Sequence, residues 1–192
     1  MPGSKKESLL LYELSKIETC DQSTCLQLIK DGADLNATDD LGWTPLISAI
    51  CNNDMPVFQA LIENGADINQ TSDCNESPLF FCLSMGRSRT EMAQTLIAKG
   101  ADVNAANDEG RTILMEAAGE GLSALAQTIL ERGAKIGAKN DDGLTAEMIA
   151  KFNHNENVVL CIQREKLRRK FIKAARKGTR KNRKILRKPS GL

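Results

Sequence analysis

The chain has 192 residues, of which 41% are hydrophobic and 27% are charged, a balance typical of a globular protein and not of a collagen-like or membrane-embedded one. No apolar run approaches the roughly 18 residues of a transmembrane helix, and the N-terminus lacks the small-residue cleavage site of a Sec-type signal peptide. The net charge of +1 conceals an acidic body and a basic tail, because residues 164–192 contain fourteen Lys or Arg and a single acid, Glu165.

The first predicted elements are two helices, Leu9–Ile17 and Thr24–Ile29. Residues 1–7 before them are expected to be disordered. The pair lacks the helix-start motif that opens every later unit. We interpret residues 8–35 as an N-terminal capping unit, because the terminal unit of a stack must cover the core on one side and face water on the other.

A five-residue motif recurs with a nearly constant period after the second helix. It reads Gly-Ala-Asp-x-Asn three times and is weakened to Gly-Ala-Lys-Ile-Gly in the fourth copy. The first residues of the four copies are Gly32, Gly65, Gly100 and Gly133. Each glycine follows an apolar segment of helical period, where a left-handed residue commonly ends a helix. The motif therefore marks the end of the second helix of each unit and the start of a turn.

A second motif keeps the same step and predicts the start of the first helix. It contains a Ser or Thr that can accept a backbone N–H at the helix N-terminus. These residues are Thr44, Ser77, Thr112 and Thr145. In the first two copies a proline follows, Pro45 or Pro78, at a position where the missing donor has no effect. Each unit is thus predicted to contain two helices and a turn.

Together the two motifs make residues 8–163 resemble ankyrin repeats, whose pattern has a Thr-Pro-Leu opening and a Gly-Ala-Asp-x-Asn ending. The resemblance implies an all-α solenoid with β-turn fingers. Repeats are expected at about 36–68, 69–103, 104–136 and 137–163, after the capping unit and before the basic tail of residues 164–192. Two extra residues between Gly86 and Glu91 are predicted to lie in an inter-helix loop.

The resemblance implies a non-catalytic scaffold that binds a protein partner on the concave face of fingertips and first helices. The candidate fingertip residues form a largely acidic set: Asp40, Leu41, Trp43, Asp73, Glu76, Asp108, Glu109, Arg111, Asp141, Asp142 and Leu144. The acids either recognise a partner or only keep the tips soluble. Trp43 either anchors a partner or packs across the neighbouring finger. The protein is expected to be a monomer.

Enzyme and metal functions find no support in the sequence. The six cysteines lack metal-binding spacing, and they are interpreted as free thiols of an intracellular protein, cytoplasmic or nuclear. No cofactor motif is present. The single histidine, His154, occupies the place of a loop glycine, where we expect a left-handed turn residue. Met115 and Met148 occupy equivalent positions and are predicted to fill the core between units.

The basic tail begins as an apparent continuation of the last helix. Leu160, Leu167, Phe171 and Ala174 follow a helical period, so the helix is predicted to continue, to shield the end of the stack and to end at Gly178. The basic clusters of the tail are Arg168, Arg169 and Lys170, then Arg180 and Lys181, then Arg183 and Lys184. They are consistent with four partners: an import receptor, nucleic acid, an anionic membrane or the acidic body itself. They are also consistent with a solvated segment that has no partner.

Overall fold

The computed structural model describes residues 5–16 and 21–186, with side chains for residues 9–16 and 21–177. In chain order the α-helices are α1 (Lys5–Ser15), α2 (Gln22–Lys30), α3 (Pro45–Cys51), α4 (Met55–Glu63), α5 (Pro78–Ser84), α6 (Thr90–Lys99), α7 (Ile113–Gly119), α8 (Ser123–Glu131), α9 (Ala146–Phe152) and α10 (Glu156–Leu186). Within these residues the helices pair in succession and the pairs stack, with odd-numbered helices in one layer and even-numbered helices in the other. The predicted all-α solenoid is confirmed.

Hydrogen-bonding side chains start the first helix of each repeat, as predicted. The hydroxyl of Thr44 accepts the amide of Ile47, and that of Ser77 accepts the amide of Phe80, both at 3.3 Å. Thr112 and Thr145 cap α7 and α9 in the same way. Since these bonds satisfy amides that have no partner inside the helix, they define where each helix begins.

The turns between helices use left-handed residues where the sequence predicted them. Gly100, which follows α6, has φ +97°, and His154, between α9 and α10, has φ +56°. The insertion of the second repeat forms a 3₁₀ turn, Gly86–Arg89, before α6. Arg89 in this turn donates to the carbonyls of Ile50 (3.1 Å) and Cys51 (2.7 Å), so the extra residues also satisfy the C-terminal end of α3.

The core lies between the layers, and its extent depends on position in the stack. Six consecutive residues of α7 are buried, among them Met115, because α5 and α9 cover it from both sides. In α9, Ala146 and Ala150 are the buried residues, and Met148 is half exposed. The prediction that Met115 fills the core is confirmed. The same prediction for Met148 is wrong, because no further repeat packs on α9 within the described part of the chain.

The last helix is longer than expected and presents the opposite face to the body. It does continue beyond the repeats, but it ends at Leu186 and not at Gly178, since a single glycine weakens a helix interior by about 1 kcal/mol without ending it. Leu167 and Phe171 do not shield the stack, because their exposed fractions are 56% and 74%. The buried face of α10 carries Val158 and Ile162 instead.

The first helix starts at Lys5, three residues before the predicted start of the capping unit. Among the described residues, no helix is both long enough and apolar enough to cross a membrane.

Candidate functional site

The fingers between successive repeats are joined into one row. In each junction the amide of an aspartate in one finger donates to a carbonyl of the preceding finger. The donors and acceptors are Asp73 to Leu41 (3.2 Å), Asp108 to Cys74 (3.1 Å) and Asp141 to Glu109 (3.0 Å). Backbone bonds of this kind fix the spacing of the fingertips without using their side chains.

A second set of hydrogen bonds joins the bases of the fingers and explains the asparagine of the repeated motif. Its side-chain oxygen accepts the amide two residues after the motif glycine of the next unit. The pairs are Asn36 with Asp67 (2.8 Å), Asn69 with Asp102 (2.9 Å) and Asn104 with Lys135 (2.9 Å). In the fourth unit Gly137 stands in place of the asparagine. The asparagine is therefore missing at the base of the last finger, which no further finger follows within the described residues.

Each finger is also closed by a side chain at its start. The carboxylate of Asp39 accepts the amides of Leu41 (2.9 Å) and Trp43 (2.8 Å), and Asn107 does the same for Glu109 and Arg111. Neither residue was predicted as a site residue from the sequence, although Asp and Asn are the residues that commonly hydrogen-bond their own turn.

The predicted fingertip acids lie side by side on this row and face solvent. The exposed ones are Asp40, Asp73, Asp108, Glu109, Asp141 and Asp142, and Glu76 is half-buried. Leu41 and Leu144 are exposed apolar members of the set. We call these nine residues, together with Trp43, the acidic ridge. The structure thus brings together side chains that are separated by up to about 100 residues along the chain.

Trp43 belongs to both the ridge and the core. Its ring is half-buried and meets Phe81 of the next repeat edge to face, with centroids 5.4 Å apart and planes inclined at 73°. Such a pair stabilises by roughly 0.5–1.5 kcal/mol beyond the area that it buries. Packing across the neighbouring repeat is therefore one role of Trp43, and the remaining exposed part of its ring adjoins the ridge.

A partly buried ion pair lies beside the ridge, at the first helix of the third repeat. The guanidinium of Arg111 contacts Glu116 of α7, with Nη2 2.5 Å from Oε1. Burial raises the pKa of Glu116, and the hydrogen bond and charge of Arg111 oppose that rise. Arg111 is one of the site residues predicted from the sequence, whereas Glu116 is not. A charged residue at a position occupied by Phe81 in the preceding repeat was the available signal.

The proximal part of the basic tail is attached to the body. Glu165 is buried and accepts hydrogen bonds from Arg168 (2.6 Å) and Arg169 (2.7 Å), which together hold the pKa of Glu165 at about 2. Arg169 also donates to the carbonyl of Leu130 in the last turn of α8 and to that of Ala134 just beyond it, both at 2.9 Å. Arg168 and Arg169 thus have a structural use that their placement in a basic cluster did not predict.

The distal part of α10 extends past α8. From Lys170, which is exposed, to Leu186 the helix adds about 25 Å at 1.5 Å per residue. An uninterrupted helix contains no turn with which residues 170–186 could fold back onto the acidic ridge. Arg180, Lys181, Arg183 and Lys184 lie on this helix, and their side chains are outside the described residues.

Comparison with known families agrees with the repeat pattern. A family model for ankyrin repeats, comprising three copies, matches residues 17–107, 52–140 and 87–166. These overlapping matches extend over most of the chain. No curated protein matches it.

Proposed function

Because the chain belongs to the ankyrin repeat family, whose repeats generally act as protein–protein interaction modules, we propose that it is a non-catalytic adaptor that binds a protein partner. The proposed binding surface is the acidic ridge together with the exposed residues at the C-terminal ends of the first helices α5 and α7, such as Ser84 and Glu120. The observation that carries this proposal is the row of fingers joined by backbone hydrogen bonds, which holds six exposed carboxylates at fixed spacing.

The charge of the ridge favours a partner that presents a basic segment. Opposite potentials on two surfaces steer their encounter and align them, even where each exposed pair adds little affinity. The ridge is also ordered before binding, since its backbone is already hydrogen-bonded from finger to finger. A preordered surface loses less conformational entropy on binding than a flexible loop does.

Charge reversal on the ridge tests this proposal. Glu109→Lys changes an exposed tip residue, and Glu63→Lys is the matched control, because Glu63 is exposed at the end of α4 and lies outside the ridge. Partners captured from a lysate with the full chain would be identified and titrated against both variants. We expect Glu109→Lys to weaken binding about fivefold to tenfold, equal to roughly 1–1.4 kcal/mol, and Glu63→Lys to leave it unchanged. Equal effects of the two changes would contradict a ridge-centred interface.

Trp43 needs two substitutions because it also packs on Phe81. Trp43→Phe preserves an aromatic contact across the repeats, whereas Trp43→Ala removes it. If Trp43 anchors the partner, Trp43→Ala weakens binding by at least about 1 kcal/mol while the helical content is retained. Lost folding with no separable effect on binding would assign Trp43 to packing alone.

The basic tail is proposed to supply a separate electrostatic contact or a targeting signal. Its exposed cations on α10, such as Lys170 and Lys173, support this role. Nucleic acid is the alternative partner. If about six phosphates are neutralised, binding of RNA or DNA falls with salt at a log-log slope near −4 to −5. A flat salt response, or equal binding by a fragment that ends at Gln163, would exclude polyanion binding by the tail.

A further inference from the structure

The open C-terminal end of the stack carries large apolar side chains where a terminal unit needs polar ones. Phe152 of α9 is 86% exposed, and Met148 on the same helix is half exposed. In the preceding repeat the positions equivalent to these residues are Gly119 and Met115, and α9 packs against that face. An added Cβ at Gly119 would lie 3.8 Å from Ile149. The face of α9 that bears Phe152 therefore corresponds to the face of α7 that the next repeat covers.

Helix α10, which packs on α9, carries a second apolar row, and Leu160 of this row lines one cavity together with Lys151 of α9. Leu160 is 61% exposed, and Leu167 and Phe171 are exposed as well. At 100° per residue these three side chains lie within about 40° of one another, opposite the buried Val158 and Ile162. The hydrogen bonds of Arg169 to the carbonyls of Leu130 and Ala134 fix the rotation of the helix, so this row cannot turn inward.

Positive charge surrounds these apolar residues. Arg164 and Lys170 are exposed on either side of the row on α10, and Lys151 is exposed on α9. Lys151 (2.9 Å) and Lys166 both contact the carboxylate of Glu147 on α9. Those lysines hold the pKa of Glu147 at about 2, so it stays ionised at neutral pH and offsets one of the two lysine charges. Glu156, at the first turn of α10, is an exposed acid at the edge of this surface.

From this arrangement we infer that the end face, defined as Met148, Phe152, Leu160, Leu167 and Phe171 with its cationic surround, docks on an anionic lipid membrane. Apolar side chains enter the interface between headgroups and acyl chains, and the surrounding Lys and Arg pair with lipid phosphates and carboxylates. The inference rests on the proposed electrostatic role of the tail and does not involve the acidic ridge.

Other occupants explain only part of these observations. Nucleic acid matches the cations, and its bases can stack on phenylalanine, but it makes no use of the exposed aliphatic residues Met148, Leu160 and Leu167. A second copy, docked by a two-fold axis, would cover the apolar residues but would bring the like-charged surrounds together. An anionic bilayer offers an apolar layer and negative charge over the same area.

Vesicle flotation with the full chain tests the inference. We expect binding at physiological salt to phosphatidylcholine vesicles that contain about one third phosphatidylserine, and little binding to pure phosphatidylcholine. Phe152→Glu and Phe171→Glu should each reduce the affinity about tenfold or more, because each removes an apolar side chain from the interface. Leu41→Glu is the matched control, since it places the same charge at an exposed apolar residue of the acidic ridge and should leave vesicle binding unchanged.

Each result decides for or against the end face. Unchanged vesicle binding by Phe152→Glu would overturn it and leave a purely electrostatic tail. Three other results would also overturn it. They are equal binding to both vesicle types, binding to RNA but not to vesicles, and a failure to bind vesicles combined with dimerisation that Phe152→Glu abolishes. Loss of partner binding in Leu41→Glu with vesicle binding intact would support two independent surfaces. Loss of vesicle binding alone would leave the proposed protein-binding function standing.

Discussion

Replacing Arg169 by alanine is expected to loosen α10 from the stack. The guanidinium contacts three groups: the buried carboxylate of Glu165 and the carbonyls of Leu130 and Ala134. Alanine leaves both carbonyls at the end of α8 without this donor and removes one of the two arginines that hold Glu165. Lys170→Ala is the matched control, because it removes the same charge from the neighbouring exposed residue.

The magnitude follows from the contacts that are lost. A hydrogen bond that involves a charged group contributes about 1.5–3 kcal/mol. Because Arg169 is partly exposed, water weakens its bonds, and we place the contribution of all three bonds together near the lower end of the range for one. We therefore expect a loss of about 2 kcal/mol for Arg169→Ala and less than about 0.5 kcal/mol for Lys170→Ala. In a chain of this size 2 kcal/mol corresponds to a fall of about 4–8 °C in Tm.

Circular dichroism at 222 nm, with heat and with urea, measures the difference. The pH dependence supplies a second readout. Hydrogen bonds from Arg168 and Arg169 hold the pKa of Glu165 at about 2, below its ordinary value of 4.5. A lowered carboxyl pKa stabilises the folded state fully above pH 4.5, and this contribution is lost as the pH falls towards 2. Arg169→Ala should flatten that part of the stability curve. Equal stabilities and equal pH profiles for Arg169→Ala and Lys170→Ala would refute the attachment proposed here.

Three further expectations follow from the fold. Leu61→Ala and Leu96→Ala each remove a fully buried leucine side chain from a second helix, and each should lower the free energy of unfolding by roughly 2–5 kcal/mol; an unchanged thermal midpoint would contradict the burial. Asn69→Ala removes the acceptor for the amide of the next finger and should cost about 1 kcal/mol in urea unfolding, whereas an effect near zero would show that water replaces the bond. Truncation after Gln163 should lower Tm, while truncation after Gly178, which keeps the contacts of α10 with the body, should change it little.

Local patterns in the sequence were sufficient to predict the repeats. Capping residues such as Thr44 and turn residues such as Gly100 act through hydrogen bonds and backbone angles within a few residues of themselves. Because the same short-range rules apply in every unit, the period of the motifs located both helices of each repeat and the insertion before α6. The acidic ridge could also be predicted, since equivalent positions in a periodic stack lie side by side.

The features that only the tertiary structure decided lie where neighbouring units differ or are absent. Helical periodicity showed that Leu167 and Phe171 share one face of α10, but a period carries no information about which face meets the body. Met115 and Met148 occupy equivalent positions in the sequence, yet one is buried and the other half exposed, because a further repeat packs on α7 and, within the described residues, none packs on α9. Burial depends on contacts between residues far apart in the chain, and at the end of a stack the missing neighbour determines the surface.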